Sequence, residues 1–380
     1  MCSRKEHYWD LSRTHQCNAW RLVDVFLKVP AAKQMKRKKN NSVAPWGNSL
    51  KFLSWDDDNN DKDDSSKKLI SSTIHEWYDA KHRKSSIEEI EFINSIKVTH
   101  CPYCGSVRFI KFGRYGNGYQ RYNCKDCKGL FSTLTGTIFD CKKIPISEWI
   151  EYLIHLFEFH SITTSARDNR NAVSTGRYWL FKVFAVLEDI QDDIILEDKI
   201  YLDEMFFPVV KSKEVLKDGK KLKGISRNKI AVACAFDNHD HLYIKAQYTS
   251  KPSDTSTWDA LGSHIKPGSH LIHDGERSHG ILIRKLGLTE EYYKTAYTLN
   301  LKDEDNPLNP INRLHALAKR FMKSHGGYNR DNLQDWMNLI WFILSKPQNR
   351  YEKIRKFFNI AVCTHKRVKY RDVMSKRNDE

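Results

Sequence analysis

The chain has 380 residues, enough for two or three domains and a sizeable core. Hydrophobic residues make up 40%, no apolar run is long enough to span a bilayer, and the opening MCSRKEHYWD lacks the apolar stretch of a secretory signal. Against 47 acids stand 63 Lys and Arg, a net charge of +16, which suits a polyanionic partner. Nucleic acid comes first. An anionic membrane surface ranks below it, because no isolated basic amphipathic helix is found. The expected location is the cytoplasm, or the nucleus in a eukaryote.

Residues 1–84 read as a basic region carrying the charge run AAKQMKRKKNNS, followed by the acidic, polar linker SWDDDNNDKDDSSKK. No function follows from either. A short helix is expected through SSIEEIEFINSI, with Ile87, Ile90, Phe92 and Ile93 as a partial stripe.

Over 85–140 two Cys-x-x-Cys pairs, Cys101/Cys104 and Cys124/Cys127, are separated by 19 residues. Each pair presents two thiolates from a tight turn, and together they can close a tetrahedral Zn²⁺ site; in a chain without an export signal this spacing points to metal rather than disulfides. Short strands around the turn GRYGNG complete a zinc ribbon. Arg108, Lys111, Arg114 and Arg121 lie among the aromatics Phe109, Phe112, Tyr115, Tyr119 and Tyr122. That mixture suits a nucleic-acid surface and equally the core of a small domain. Cys141 lies beyond the fourth ligand and is not counted with them.

Over 141–197 the pattern turns helical. ISEWIEYLIHLFEF carries Ile146, Trp149, Ile150, Leu153 and Leu156 at helical spacing. A short helix, a break near NRNAVS and a longer helix then resemble a helix-turn-helix, with Arg170, Arg177 and Lys182 available for phosphates or bases. A plain three-helix packing unit fits the same pattern.

Residues 198–345 read as the core. KIYLDEMFFPVV is a buried strand with Asp203 at its centre, and a buried carboxylate requires a partner, a cation or a metal. After a Lys-rich loop come the strands KIAVACAF and LYIKAQY, a helix from SDTSTWDALGSHI, and the strand SHLIHDG ending at Asp274. Another helix and a short strand YYKTAY follow. The order describes a mixed sheet flanked by helices and fits an RNase H-like fold. The best-defined helix is NPINRLHALAKRFMKSHGG, with Asn309 as N-cap and Pro310 at its first position. Leu314, Leu317, Ala318 and Phe321 form one face, and Asn312, His315, Lys319 and Lys323 the opposite one.

Two strand-borne carboxylates supply hard oxygen ligands for Mg²⁺ or Mn²⁺, as phosphodiester chemistry requires. Asn312 can add a neutral oxygen, Lys319 can bind a phosphate as a point charge, and His315 can orient a nucleophile or touch DNA. An acid of LKDEDNP, Glu304 or its neighbours Asp303 and Asp305, is the rival third ligand. Glu204 points to the other sheet face and is set aside. The chain ends in a basic tail, 346–380, of which THKRVKYRDVMSKRNDE reads as a solvated segment.

Four motifs in order, FSTLTGTIF, YLDEMFF, LIHDGERSH and NRLHALAKRF, resemble the insertion-sequence transposases that join an amino-terminal zinc ribbon to a DDE-type catalytic domain. The nearest branch has the signature Asp, Asp, Asn, Lys; the Merlin-type transposases look related. The resemblance covers about 85–345. It implies cleavage at the ends of an element and strand transfer into target DNA, with Asp203, Asp274, Asn312 and Lys319 catalytic, and a dimer or higher oligomer on double-stranded DNA. The alternative is a zinc-ribbon DNA-binding protein derived from an inactive or domesticated transposase, for which the uncharged Asn312 is the best argument.

Overall fold

The computed structural model describes Ser72 and residues 86–142, 144–208, 229–298, 301–326 and 328–375. Apart from Ser72, the expected basic region and linker of 1–84 lie outside the described residues, as do the Lys-rich loop at 209–228 and the last five residues. No helix among the described residues is long and apolar enough to cross a membrane.

Helix α1 (Ile87–Ser95) is started by Ser86, whose hydroxyl accepts the Glu89 N–H. Its apolar stripe is only partly used: Ile93 is buried, while Ile87 and Phe92 are exposed. Glu89 is buried instead, where it meets the Lys142 ammonium at 2.7 Å and accepts the Tyr119 hydroxyl at 2.9 Å. Strands β1 (Phe109–Arg114), β2 (Gln120–Cys124) and β3 (Leu130–Phe131) form an antiparallel three-stranded sheet, with the GRYGNG turn between the first two. Phe109, Tyr122 and Phe131 make its small aromatic core.

Three helices follow: α2 (Ile146–Phe157), α3 (Ile162–Asp168) and α4 (Val173–Leu187). Along α2, Ile150 is exposed and Tyr152 is fully buried, its hydroxyl donating to the Gly176 carbonyl at 2.8 Å. Gly176 is required there, because a Cβ would stand 2.8 Å from that of Ala166 and push α3 off α4. The trio is not a detached module. Its apolar residues share one cluster with a face of the central sheet and with the helices that follow it.

That sheet has five strands in the order β6-β5-β4-β7-β8. They are β4 (Lys199–Pro208), β5 (Lys229–Asp237), β6 (Leu242–Ala246), β7 (His270–His273) and β8 (Thr289–Tyr292). The first three pair antiparallel as a meander; β7 and β8 join parallel to β4. Parallel pairing needs crossovers, which α5 (Asp254–Leu261) and α6 (Gly280–Leu286) supply on one face. The last strand is Thr289–Tyr292, not YYKTAY, whose Thr295–Thr298 forms a helical turn, α7. Three consecutive antiparallel strands followed by two parallel ones give the mixed, RNase H-like arrangement expected from the element order.

The other face carries α8 (Asn309–His325) and α9 (Leu333–Leu344). The α8 N-cap is Leu308, not Asn309, and makes no side-chain capping bond. Within the basic tail of 346–380, helix α10 (Arg350–Cys363) joins the core: Ile354, Phe357, Phe358 and Ala361 are buried, and Phe358 stacks on Phe139 at 5.7 Å. Helix α11 (Tyr370–Ser375) closes the described chain.

Candidate active site and metal-binding clusters

Strand alternation decides where each acid of KIYLDEMFFP points. Tyr201, Met205 and Phe207 lie on the α8 side, and Ile200 and Leu202 on the α5–α6 side. Asp203 therefore faces α8, and Glu204 faces away. Leu202 pairs with His273 in the parallel β4–β7 ladder, so Asp274, the next residue after β7, continues beside Asp203.

Asp203 has an unfavourable environment for a charge. Its carboxyl is pushed up to about 7, first by burial, then by the charges of Asp274 and Glu204; the Glu204 N–H, donated at 2.8 Å, only partly offsets this. From α8, His315 Nδ1 approaches to 3.6 Å, too far for a hydrogen bond. Nor is this an ion pair, because burial holds His315 down to about 3 and the nearby Lys319 adds to the effect. Its Nε2 is buried and has no hydrogen-bond partner among the described residues.

The placement of His315 corrects the expected polar face. At about 100° per residue it falls at the border of the apolar arc and is 5% exposed, whereas Asn312, Lys319 and Lys323 are exposed. Burial removes His315 from contact with DNA. Asn312 and Lys319 flank it at i−3 and i+4, the spacings that make surface neighbours on a helix. The rival acids Asp303, Glu304 and Asp305 lie exposed in the turn before α8.

Behind the acid pair, on the opposite sheet face, is a buried chain that sequence reading did not anticipate. His279 Nε2 lies 3.0 and 3.2 Å from the two Glu204 oxygens. His279 Nδ1 lies 2.9 Å from His273 Nδ1, and His273 Nε2 reaches Glu290 at 3.2 Å. The Gly275 N–H also donates to His273 Nδ1, which makes that nitrogen an acceptor and His279 the donor. His279 then donates from both nitrogens. Burial is the largest influence and opposes that charge, but the Glu204 hydrogen bond together with the charges of Glu204, Asp274 and Asp203 raises His279 above its ordinary value. His273 is lowered, first by burial and then by the charge of His279. Ligating atoms of His273, Asp274 and His279 lie within 4.8 Å of one another, yet all four ring nitrogens are already hydrogen-bonded, so the two histidines belong to the chain from Glu204 to Glu290 rather than to a metal site. Only the pattern Asp-Glu on one strand and His-x₅-His after the other could have hinted at it.

The four ribbon cysteines converge. Cys101 and Cys127 sulfurs are 3.7 Å apart, Cys104 and Cys124 sulfurs 3.6 Å, and the set lies within 4.8 Å. A tetrahedron with Zn–S bonds of ~2.3 Å has edges of about 3.8 Å, so the donors fit that ion.

The expected DNA-contacting side chains divide. Lys111, Arg114, Arg177 and Lys323 are exposed, and Ile110 and Phe112 stand exposed beside the first two. Arg108 is exposed but tied to Asp126 by two hydrogen bonds. Arg121 is half-buried, donates to the Phe112 carbonyl at 2.8 Å and stacks over Phe112 and Tyr115. Arg170 is half-buried at the α3–α4 turn with φ of 54°. Lys182 is a correction: it is buried between Tyr178 and Trp149, donates to the Ile138 carbonyl, and is lowered to about 8 by burial. It is not available to a phosphate.

No family model matches the chain. An uncharacterised protein in the transposable element ISH50 of Halobacterium salinarum is 32% identical over 68 residues, which is 18% of this chain and 22% of that protein. The chain thus spans about a fifth of the length of that relative. Among solved structures, the mariner Mos1 paired-end complex with Mg aligns with 57% of this chain and 79% of its own, at 11% identity and a TM-score of 0.25. The Mos1 strand transfer complex aligns with 58% and 79%, at 10% identity and a TM-score of 0.24. Superpositions this loose assign neither activity nor residues; a short stretch of kinship with a transposable-element protein is what the sequence comparison establishes.

Proposed function

We propose that the chain is a metal-dependent DNA transposase of the Asp-Asp-Asn-Lys type, acting as a dimer or higher oligomer on double-stranded DNA. The observation that carries this reading is the adjacency of Asp203 and Asp274, which burdens Asp203 with charge that no ion pair among the described residues neutralises directly. Kinship with a protein of a transposable element and the +16 charge agree with it.

Asp203 and Asp274, with Asn312 as a neutral third donor, would hold Mg²⁺ or Mn²⁺. Such ions, when bound, activate a water or a 3′-hydroxyl and stabilise the leaving oxygen. The work of the chain is positioning. Asp203 is fixed at mid-strand by the β5 and β7 ladders, with one oxygen held by the Glu204 N–H. Neutral His315 walls the site from α8 without adding competing charge. Lys319, exposed one turn further on, is suited to a flanking phosphate. Zinc held by Cys101, Cys104, Cys124 and Cys127 would keep the ribbon folded, with Lys111 and Arg114 toward the DNA backbone.

The test uses the full chain, the DNA flanking its coding region and Mg²⁺. Nicking at terminal inverted repeats and joining to a target plasmid are expected, and Asp203→Ala or Asp274→Ala should abolish both while end binding persists. Joining by both variants, or end binding without any nicking in Mg²⁺ or Mn²⁺, would overturn the reading; the latter favours the DNA-binding alternative.

A further inference from the structure

The carboxyl-terminal end of α2 holds a second cluster of metal-ligating side chains, on different elements from the acid pair and the ribbon. Helix α2 ends in a Schellman turn: the Phe159 N–H donates to Leu156 O at 3.3 Å and the His160 N–H to His155 O at 3.0 Å. The left-handed position of this motif is normally Gly, yet here it is Phe159, at φ 67°. A bulky residue there is strained by about 1–2 kcal/mol. Its ring packs edge-on against Phe321 at 5.1 Å, which offsets the strain and fixes the turn.

The consequence is that His160 folds back beneath His155, with ring centroids 5.0 Å apart and planes inclined by 27°. Asp168, the last residue of α3, brings a carboxylate oxygen to 3.9 Å from His155 Nδ1. One nitrogen from each ring and one Asp168 oxygen all lie within 4.8 Å of one another. The Nδ1 atoms of His155 and His160 are both shut off from solvent and without a hydrogen-bond partner among the described residues. An orphaned buried nitrogen costs about 1–3 kcal/mol, and here two occur on stacked rings facing one carboxylate. The carboxylate, 3.9 Å from His155 Nδ1, hydrogen-bonds neither of them.

We propose that His155, His160 and Asp168 form a divalent-metal site for a borderline ion such as Zn²⁺. Two imidazoles and one carboxylate are a donor set for zinc rather than for magnesium, which takes oxygen. Three ligands at ~2.1 Å around a tetrahedral ion stand about 3.4 Å apart, so the cluster needs to close by roughly 1 Å. The exposed Asp168 side chain supplies that movement. Three protein ligands leave the fourth position to water. The site ties the end of α2 to the end of α3 and braces the helical trio against the α8 face. It is independent of the transposase reading and survives its failure.

The test is a Co²⁺ and Zn²⁺ titration of the full chain up to tenfold excess, followed by absorption and by metal count. Cobalt at the four cysteines shows a thiolate charge-transfer band; cobalt at two histidines and a carboxylate shows only weak visible bands. In an Asp203→Asn, Asp274→Asn background, which removes the acid pair's ion from the count, the chain is expected to take one ion beyond that held by thiolates. His160→Gln and Asp168→Asn should each lose that second ion, leave the thiolate band unchanged, and abolish the part of the zinc-induced rise in Tm that saturates with it. Asp168 is exposed and packs in no core, so its variant folds even if His160→Gln does not. In that background, a chain with no ion beyond the thiolate-bound one, or a folded Asp168→Asn that keeps two, would overturn the proposal.

Discussion

Asp203 carries the largest electrostatic tension of the candidate site, and it sets a pH dependence with a definite sign. Its folded value, about 7, is above the ordinary 3.8. The folded state therefore keeps a proton that the unfolded state has already lost between those limits. Its contribution to stability is whole below pH ~4 and lost as pH rises through 7, a loss on the order of a few kcal/mol. In metal-free protein, Asp203→Asn is expected to melt several degrees above wild type at pH 8 and to match it near pH 4, by calorimetry in chelator. Equal melting at both pH values would show that Asp203 is not charged at a cost. His279→Ala works the other way. It strands Glu204, buried and deprived of its counter-charge, and should cost about 3–5 kcal/mol near pH 6, read from urea unfolding. Because His279 is raised, the stability it adds is present below its ordinary value of 6.5 and fades as pH climbs, so the gap to wild type should narrow at alkaline pH. At this scale the sequence showed the acids because a carboxylate in an apolar strand is conspicuous. It could not show His279 or His160, whose partners come from other elements and whose flanks look ordinary.

At the scale of elements, periodicity was legible where one face alone meets the core. Helix α2 and most of α8 were read correctly for that reason, whereas the β4–β6 meander, buried on both faces, was legible as short apolar runs between turns. Two helices were missed, for opposite physical reasons. Helix α9 is buried from Leu333 to Leu344 with scarcely an exposed position, so it offers no contrasting polar face to read. Helix α10 is rich in Lys and Arg, and its stripe of Ile354, Phe357, Phe358 and Ala361 was hidden by net charge. Lys353 shows how basic residues are accommodated there: it is buried, lowered to about 7 by burial and by Lys356, and donates to the Ser345 carbonyl at 2.9 Å and the Ile343 carbonyl near the end of α9. The account therefore expects Phe357→Ala to cost about 3–5 kcal/mol, measured by chemical denaturation. A loss under 1 kcal/mol would mean α10 is a surface appendage after all.

For the whole molecule, order along the chain was the most informative signal. Three strands, a helix, a strand, a helix and a strand permit few right-handed topologies, and the observed sheet is one of them. What order could not convey is that α2–α4, expected as a separate helical segment, share a core with the sheet and the carboxyl-terminal helices. Such coupling makes the candidate site rigid from the α8 side, since α8 is clamped between β4 and the helices around α9. Asp203 sits at mid-strand and Asp274 directly after the end of β7, so the strands of the sheet set the spacing of the pair, as a preorganised metal site requires. The decisive measurement is Mn²⁺ binding to the full chain by electron paramagnetic resonance, with Mg²⁺ as competitor, in wild type, Asp203→Asn and Asp274→Asn. Wild type should bind Mn²⁺ displaceably by Mg²⁺ and each variant should lose at least tenfold in affinity. Unchanged binding in both variants would contradict the claim that these two carboxylates hold the ion together.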